Sequence, residues 1–222
     1  MKEIKAILFD CDGTLVDTEE ISAAATVAAV KPYGIETTID AVNQEFIGIH
    51  LIDILETLNK RHSVNIEMDP FLSIYTPHMV KYVPEHIRIL PDTVDYICSL
   101  KERGYKLTVG SNGVHAAIES ELRVVGLCDF FDIILTADDV PNPKPAPDMY
   151  LEGMKACGIN DPESCLVVED SVTGIKAAIA GGFIPIGYTG LNPDPKGLAI
   201  KLKEAGASQV ISRLQDLDFL LK

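Results

Sequence analysis

Positive charge is scarce in this chain: 19 Lys and Arg stand against 33 Asp and Glu, a formal net charge of −14. Nucleic-acid and anionic-membrane surfaces need clustered Lys and Arg to neutralise phosphates, so neither partner is expected. An anionic substrate would have to be met by local positive features: a metal ion, a particular lysine, or backbone N–H groups at helix starts. Paired cysteines are also missing. Cys11, Cys98, Cys128, Cys157 and Cys165 are odd in number and show no CxxC spacing. Neither a disulfide framework nor a zinc knuckle is indicated, and most read as small buried apolar residues. No run of about 18 apolar residues is present to cross a bilayer. Met1-Lys2-Glu3 leads straight into a strand pattern with no signal-peptide character, so a soluble cytoplasmic protein is expected. The five histidines share no metal-ligand spacing and read as surface or packing residues. Internal repeats and low-complexity tracts are absent.

What is present is an ordinary globular composition, 47% hydrophobic and 23% charged over 222 residues. That length accommodates one well-buried core and an inserted subdomain. The densest chemistry lies in residues 6–18, AILFDCDGTLVDT. The apolar run 6–9 has the form of a fully buried parallel strand and breaks off into Asp10-Cys11-Asp12-Gly13-Thr14. Open α/β sheets place their ligands at such carboxyl ends. Period-two alternation puts Asp10 and Asp12 on the same side, and Gly13 permits a sharp turn just beyond them. Two carboxylates that close repel by roughly 4 kcal/mol at about 4 Å in an effective dielectric of about 20. A hard cation such as Mg²⁺, or a proton, would relieve the repulsion. Asp12 and Thr14 also suit the plainer task of capping the following turn.

From about residue 17 to 88 the pattern is helical. It opens with Glu19-Glu20 and an Ala-rich run and is broken at Pro32-Tyr33-Gly34, around 63–70 and at Pro77. Ile49, Ile52, Leu55 and Leu58 recur there at helical spacing. From Pro91 onward helices and strands alternate: helices at 92–103, 114–125, up to 157, 172–180 and 196–205, and strands at 105–110, 132–136, 165–168, 183–188 and 209–211. Such alternation predicts a parallel sheet wrapped by helices on both faces. The expected architecture is a doubly wound, Rossmann-like α/β core of residues 1–16 and 89–222, with a small all-α cap domain, 17–88, inserted after the first strand. The two crossings would act as hinges.

Parallel strands deliver their carboxyl ends to one rim. That rim should carry Asp10 and Asp12, then Ser111 and Asn112, then Lys144, then Glu169 and Asp170. A hydroxyl and an amide can bond phosphate oxygens, a lysine can neutralise them, and acidic residues can hold a hard cation. Singly, each cluster has another reading. Ser111-Asn112-Gly113 suits a turn, Lys144 a solvated loop, and Glu169-Asp170-Ser171 a helix N-cap. Their conjunction at successive strand ends favours one site for phosphoryl transfer.

Asp10-Cys11-Asp12-Gly13-Thr14, Ser111-Asn112, Lys144-Pro145 and Glu169-Asp170 resemble the four motifs of the haloacid-dehalogenase-like hydrolase superfamily. The helical insert resembles the small mobile cap shared there by phosphoglycolate phosphatases and β-phosphoglucomutases. The resemblance implies Asp10 as nucleophile, Asp12 as acid and then base, and Lys144 as a catalytic cation. It also implies phosphate binding by Thr14, Ser111, Asn112 and Lys144. Mg²⁺ would sit on Asp10, the backbone of Asp12, Glu169 and Asp170. An acid at position 12 favours phosphate chemistry over carbon–halogen cleavage, which needs none. Mutases of this cap type carry a His beyond the DTxE segment and an Arg after a cap glycine. Here those places hold Ser22 and, three after Gly48, Leu51, which favours simple hydrolysis.

The resemblance therefore implies a Mg²⁺-dependent phosphatase of a small phosphate ester, such as a sugar or sugar-acid phosphate, and a cytoplasmic monomer is expected. The segment 46–60 is similar to that of phosphogluconate phosphatases, and His50, Lys60 and Lys81 are candidates to meet a substrate carboxylate. Phosphoglycolate hydrolysis, sugar-phosphate mutation and non-catalytic phosphate binding are the alternatives.

Overall fold

A computed structural model describes residues 2–46, 49 and 51–221. Its chain contacts divide the protein into two compact units, Met1–Val16 with Ile89–Lys222, and Asp17–Arg88.

The first unit is built on six parallel strands: β1 Ala6–Phe9, β2 Lys106–Ser111, β3 Ile133–Thr136, β4 Cys165–Glu169, β5 Ile184–Tyr188 and β6 Gln209–Ile211. Their order across the sheet is β3-β2-β1-β4-β5-β6. This is the Rossmann-like α/β fold that the alternation predicts. Every residue of β1 is buried, because β2 covers one edge, β4 the other, and side chains pack on both faces. On one face Ala6 and Leu8 join Tyr150, Met154, Val167, Ala177 and Phe183 in a single apolar cluster. On the other, Phe9 meets Phe131 edge to face, with ring centroids 6.2 Å apart. The chain order reverses between β1 and β4, so this is the switch point at which an open sheet leaves a crevice. Five helices cover the strands: α5 Thr93–Glu102, α6 His115–Val124, α7 Asp148–Ala156, α8 Val172–Ala180 and α9 Pro195–Ala205 (α1 to α4 belong to the other unit).

The second unit holds α1 Glu19–Val30, α2 Ile39–Phe46, α3 Leu51–His62 and α4 Met68–His86. Its core gathers Ala29, Val30, Val42, Phe46, Ile54, Leu55, Leu58 and Phe71. Two expectations are corrected here. The predicted break at Pro77 is absent, and α4 runs on through both Pro77 and Pro84. Buried Phe71 on one side of Pro77, with Met79 and Val83 on the other, anchors both halves, so packing outweighs the missing N–H. Along α3 the buried stripe is Ile54, Leu55 and Leu58, whereas Ile52 is exposed and Ile49, also exposed, precedes the helix. A strict three-residue repeat drifts around a helix of 3.6 residues per turn, so Ile52 leaves the face that buries Leu55 and Leu58. No described helix is long and apolar enough to cross a membrane.

Candidate active site

Beyond β1 the backbone turns at once. Thr14, Leu15 and Val16 all donate N–H to the Cys11 carbonyl, at 3.2, 2.8 and 3.2 Å. Gly13 lies at φ +77°, and a Cβ there would come within 2.0 Å of Asp170 Oδ2. Glycine thus serves both the turn and the close approach of a carboxylate. Leu15 and Val16 are buried, which pins the far side of the turn.

At the end of β2, Ser111 is buried and its hydroxyl donates to Asp12 Oδ2 at 3.4 Å. The Asn112 side chain forms a two-point clamp on the backbone of Lys144. Its Oδ1 accepts the Lys144 N–H and its amide donates to the Lys144 carbonyl, both at 3.0 Å. The expected phosphate ligand therefore acts, through its side chain, as the fastener of the lysine loop.

Lys144 is almost fully buried, and its Nζ donates to Asp10 Oδ1 and to Glu169 Oε1, both at 2.6 Å. The amine also lies 5.0 Å over the Tyr150 ring. Burial opposes the charged amine, but the carboxylates of Asp10 and Glu169 outweigh it and hold the lysine well above its usual range.

Glu169 has no exposed surface. Its Oε1 accepts from Lys144 and, at 2.5 Å, from the Tyr150 hydroxyl; its Oε2 accepts from the Ser171 hydroxyl at 2.8 Å and the Ser171 N–H at 3.3 Å. A Cβ on Gly174 would lie 1.7 Å from Oε1, so α8 can begin this close only with glycine there. Each carboxylate oxygen already accepts two bonds, which makes Glu169 an anchor for Lys144.

Asp10, Glu169 and Asp170 each bring one oxygen within 4.8 Å of the others. Burial first, and then repulsion from Glu169, push Asp10 up to about 7, with Lys144 pulling the other way. Asp170 is raised well above the carboxylate range by burial, then by Asp10 and Glu169. One lysine does not balance these carboxylates. An all-oxygen, anionic set with surplus negative charge fits a hard divalent cation. Thr14 Oγ1 is buried and has no hydrogen-bond partner among the described residues.

All eight residues expected at the rim, Asp10, Asp12, Thr14, Ser111, Asn112, Lys144, Glu169 and Asp170, thus lie at the ends of β2 and β4 or on the loops that follow β1 to β4. Two participants escaped the sequence reading. Tyr150 is a fully buried phenol six residues after Lys144. Glu121 is a carboxylate with 1% exposure on the buried face of α6, beside Ala117, Ile118 and Leu122. An acidic residue in an apolar helical stripe was the available signal for it. Of the substrate-reading candidates, Lys60 and Lys81 are exposed, and His50, like Ile47 and Gly48, lies outside the described residues. A pocket of about 370 Å³ within the helical unit is lined by Asp17, Glu19, Glu20 and Asp40 together with Ile39, Asn43, His86 and Arg88, and the four carboxylates do not suit a phosphate.

Residues 7–186 match the family described as haloacid dehalogenase-like hydrolase. The chain belongs to that family. It is 26% identical over 183 residues to 6-phosphogluconate phosphatase of Escherichia coli strain K12, covering 82% of this chain and 81% of that protein. It is 30% identical over 179 residues to phosphoglycolate phosphatase of Aquifex aeolicus, covering 81% and 82%. Another relative is much longer, and the chain spans 17% of its length. Among solved structures, a hydrolase of the same family from Deinococcus radiodurans with bound phosphate and sodium superposes with a TM-score of 0.71 at 28% identity, covering 96% of this chain and 93% of that one. The haloacid dehalogenase-like chain is accordingly a phosphoric monoester hydrolase acting on small phosphorylated metabolites.

Proposed function

We propose that this enzyme hydrolyses a sugar or sugar-acid phosphate through an aspartyl-phosphate, with Mg²⁺ as cofactor. The observation that carries the reading is the Lys144 bridge between Asp10 and Glu169 with Asp170 alongside. Asp10 Oδ1 is held by the lysine, which leaves Oδ2 to attack phosphorus in line. Asp12 protonates the departing alkoxide and then takes a proton from the water that cleaves the aspartyl-phosphate. Ser111, Thr14, Lys144 and the backbone at Asn112 hold the phosphoryl oxygens as charge shifts onto them. Asp10, Asp170 and the Asp12 carbonyl would hold Mg²⁺, with Glu169 behind them. The ion would supply charge neutralisation for both phosphate and nucleophile. The helical unit, 17–88, is proposed as the cap that reads the non-phosphate part of the substrate. Hydrolysis rather than mutation is supported by Ser22, whose hydroxyl pairs with the Tyr75 hydroxyl at 2.9 Å where a mutase-like histidine would be needed. The similarity to the E. coli 6-phosphogluconate phosphatase supports the sugar-acid class.

Free-phosphate release, measured across sugar phosphates, sugar-acid phosphates, phosphoglycolate and nucleotides, is expected to favour one class and to vanish on chelation of Mg²⁺. Isomer formation faster than phosphate release would overturn hydrolysis, and unchanged turnover in chelator would overturn the metal.

The raised value of Asp10 yields a separate expectation. The unfolded chain loses this proton near 3.8 and the folded chain near 7, so between those values the folded form binds the extra proton and stability falls as pH rises. A cation beside the ionised carboxylate offsets that loss. The rise in Tm on adding Mg²⁺ should therefore be larger at pH 8 than at pH 5, as scanning calorimetry would show; equal shifts at both would argue against Mg²⁺ contacting Asp10.

A further inference from the structure

Cys11, Asp12 and Glu121 form a second group, apart from the all-oxygen set at Asp170. One ligand atom from each lies within 4.8 Å of the others. We propose that these three side chains bind a thiophilic divalent cation of the Zn²⁺ type, and that its binding withdraws Asp12 from proton transfer and inhibits the enzyme. The inhibitory half rests on the acid–base role proposed for Asp12; the site itself does not.

Three features point to a ligand. Glu121 has 1% exposure, yet its Oε1 has no hydrogen-bond partner among the described residues, while Oε2 accepts only the weak Cys11 thiol at 3.8 Å. A buried carboxylate oxygen left in that condition is unfavourable unless something electropositive joins it. The geometry is close to that of a bound ion. Tetrahedral zinc with Zn–S of about 2.3 Å and Zn–O of about 2.0 Å sets sulfur and oxygen about 3.5 Å apart, so Cys11 Sγ and Glu121 Oε2 need approach by only a few tenths of an ångström. The donor types also differ from those of the neighbouring site. One thiolate with two carboxylates selects zinc-like ions, whereas an oxygen-only set suits Mg²⁺. Asp12 is partly exposed and so provides the way in from solvent, and water would complete the fourth position. On ligation the Cys11 thiol releases its proton to solvent, and no redox change is involved.

The test uses the intact enzyme under saturating Mg²⁺, with Co²⁺ as spectroscopic probe and Zn²⁺ in equilibrium dialysis, for wild type, Cys11→Ala and Glu121→Gln. The wild type should show a thiolate-to-cobalt charge-transfer band and bind one Zn²⁺ per chain. Cys11→Ala should lose the band, and both variants should bind Zn²⁺ at least about tenfold more weakly. Absence of the band in wild type, or Zn²⁺ affinity unchanged in both variants, would overturn the site; if Cys11→Ala does not fold, Glu121→Gln decides. Zn²⁺ should inhibit phosphate release in wild type and require at least about tenfold higher concentration in Glu121→Gln. A cobalt band without inhibition of wild type would overturn the assigned effect on Asp12 while leaving the site in place. Inhibition equal in all three proteins would place the inhibitory ion at Asp10 and Asp170 instead.

Discussion

Asp10→Asn should abolish phosphate release from every ester, by at least about four orders of magnitude, as removal of a nucleophile does elsewhere. The amide keeps the shape of the side chain and its contact with Lys144 through one oxygen, but it cannot attack phosphorus. Stability should move the other way. Asp10 sits among Glu169 and Asp170, and burial and Glu169 together push it up to about 7. Removing its charge relieves that crowding, so in Mg²⁺-free buffer at pH 8 the variant should melt no lower than wild type. Phosphate release and a thermal melt on the same preparation test both halves. Measurable turnover near the wild-type rate would remove Asp10 from the nucleophile role.

Lys144→Met should unfold more easily by about 3–5 kcal/mol, the usual consequence of removing one partner from a buried ion pair, as well as losing turnover. The lysine is buried at 2.6 Å from two carboxylates, one of which, Glu169, has no exposed surface. Without it those carboxylates can escape only by taking protons. The deficit should therefore shrink as pH falls toward 5 and grow toward pH 8, because the folded variant then holds protons that the unfolded chain releases. Adding Glu169→Gln to Lys144→Met should restore more than half of the loss, since the amide removes the more deeply buried of the two carboxylates left without a partner and the Tyr150 and Ser171 groups can still bond to it. Urea denaturation of both single variants and the double variant closes the cycle. Losses that simply add would show that the bridge contributes nothing of its own.

The strand ends were legible because each was a short apolar run that stopped at a polar cluster. Ala6–Phe9 before Asp10 and Cys165–Val168 before Glu169 left little room for another reading, and the sheet pairs those two strands side by side. Proline punctuation was less reliable. Pro77 reads as a break, yet Phe71, Met79 and Val83 hold α4 together across it. Site composition was legible as well, but the partners of each side chain were not. Asn112 and Lys144 are separated by 32 residues, and only the fold brings the amide onto the lysine backbone. Glu169 read as a metal ligand, and its further partners, Tyr150 and Ser171, carry no signal in their spacing. Asp10 at its reference value would be ionised throughout the neutral range; burial beside Glu169 makes that conditional on the neighbouring cations.

The central place of β1 bears on how the enzyme tolerates motion. Proteins open locally in units, with margins and termini loosening far more often than the middle of a sheet. Here the margins are β3 and the three-residue β6, while β1 is clasped between β2 and β4 along its whole length. Fraying at either margin leaves the strand that carries Asp10 undisturbed, so the reacting carboxylate is insulated from the commonest fluctuations of its own scaffold. Sequence drift in β6 can accumulate without moving the chemistry, whereas β3 is tied to it through the loop that carries Lys144.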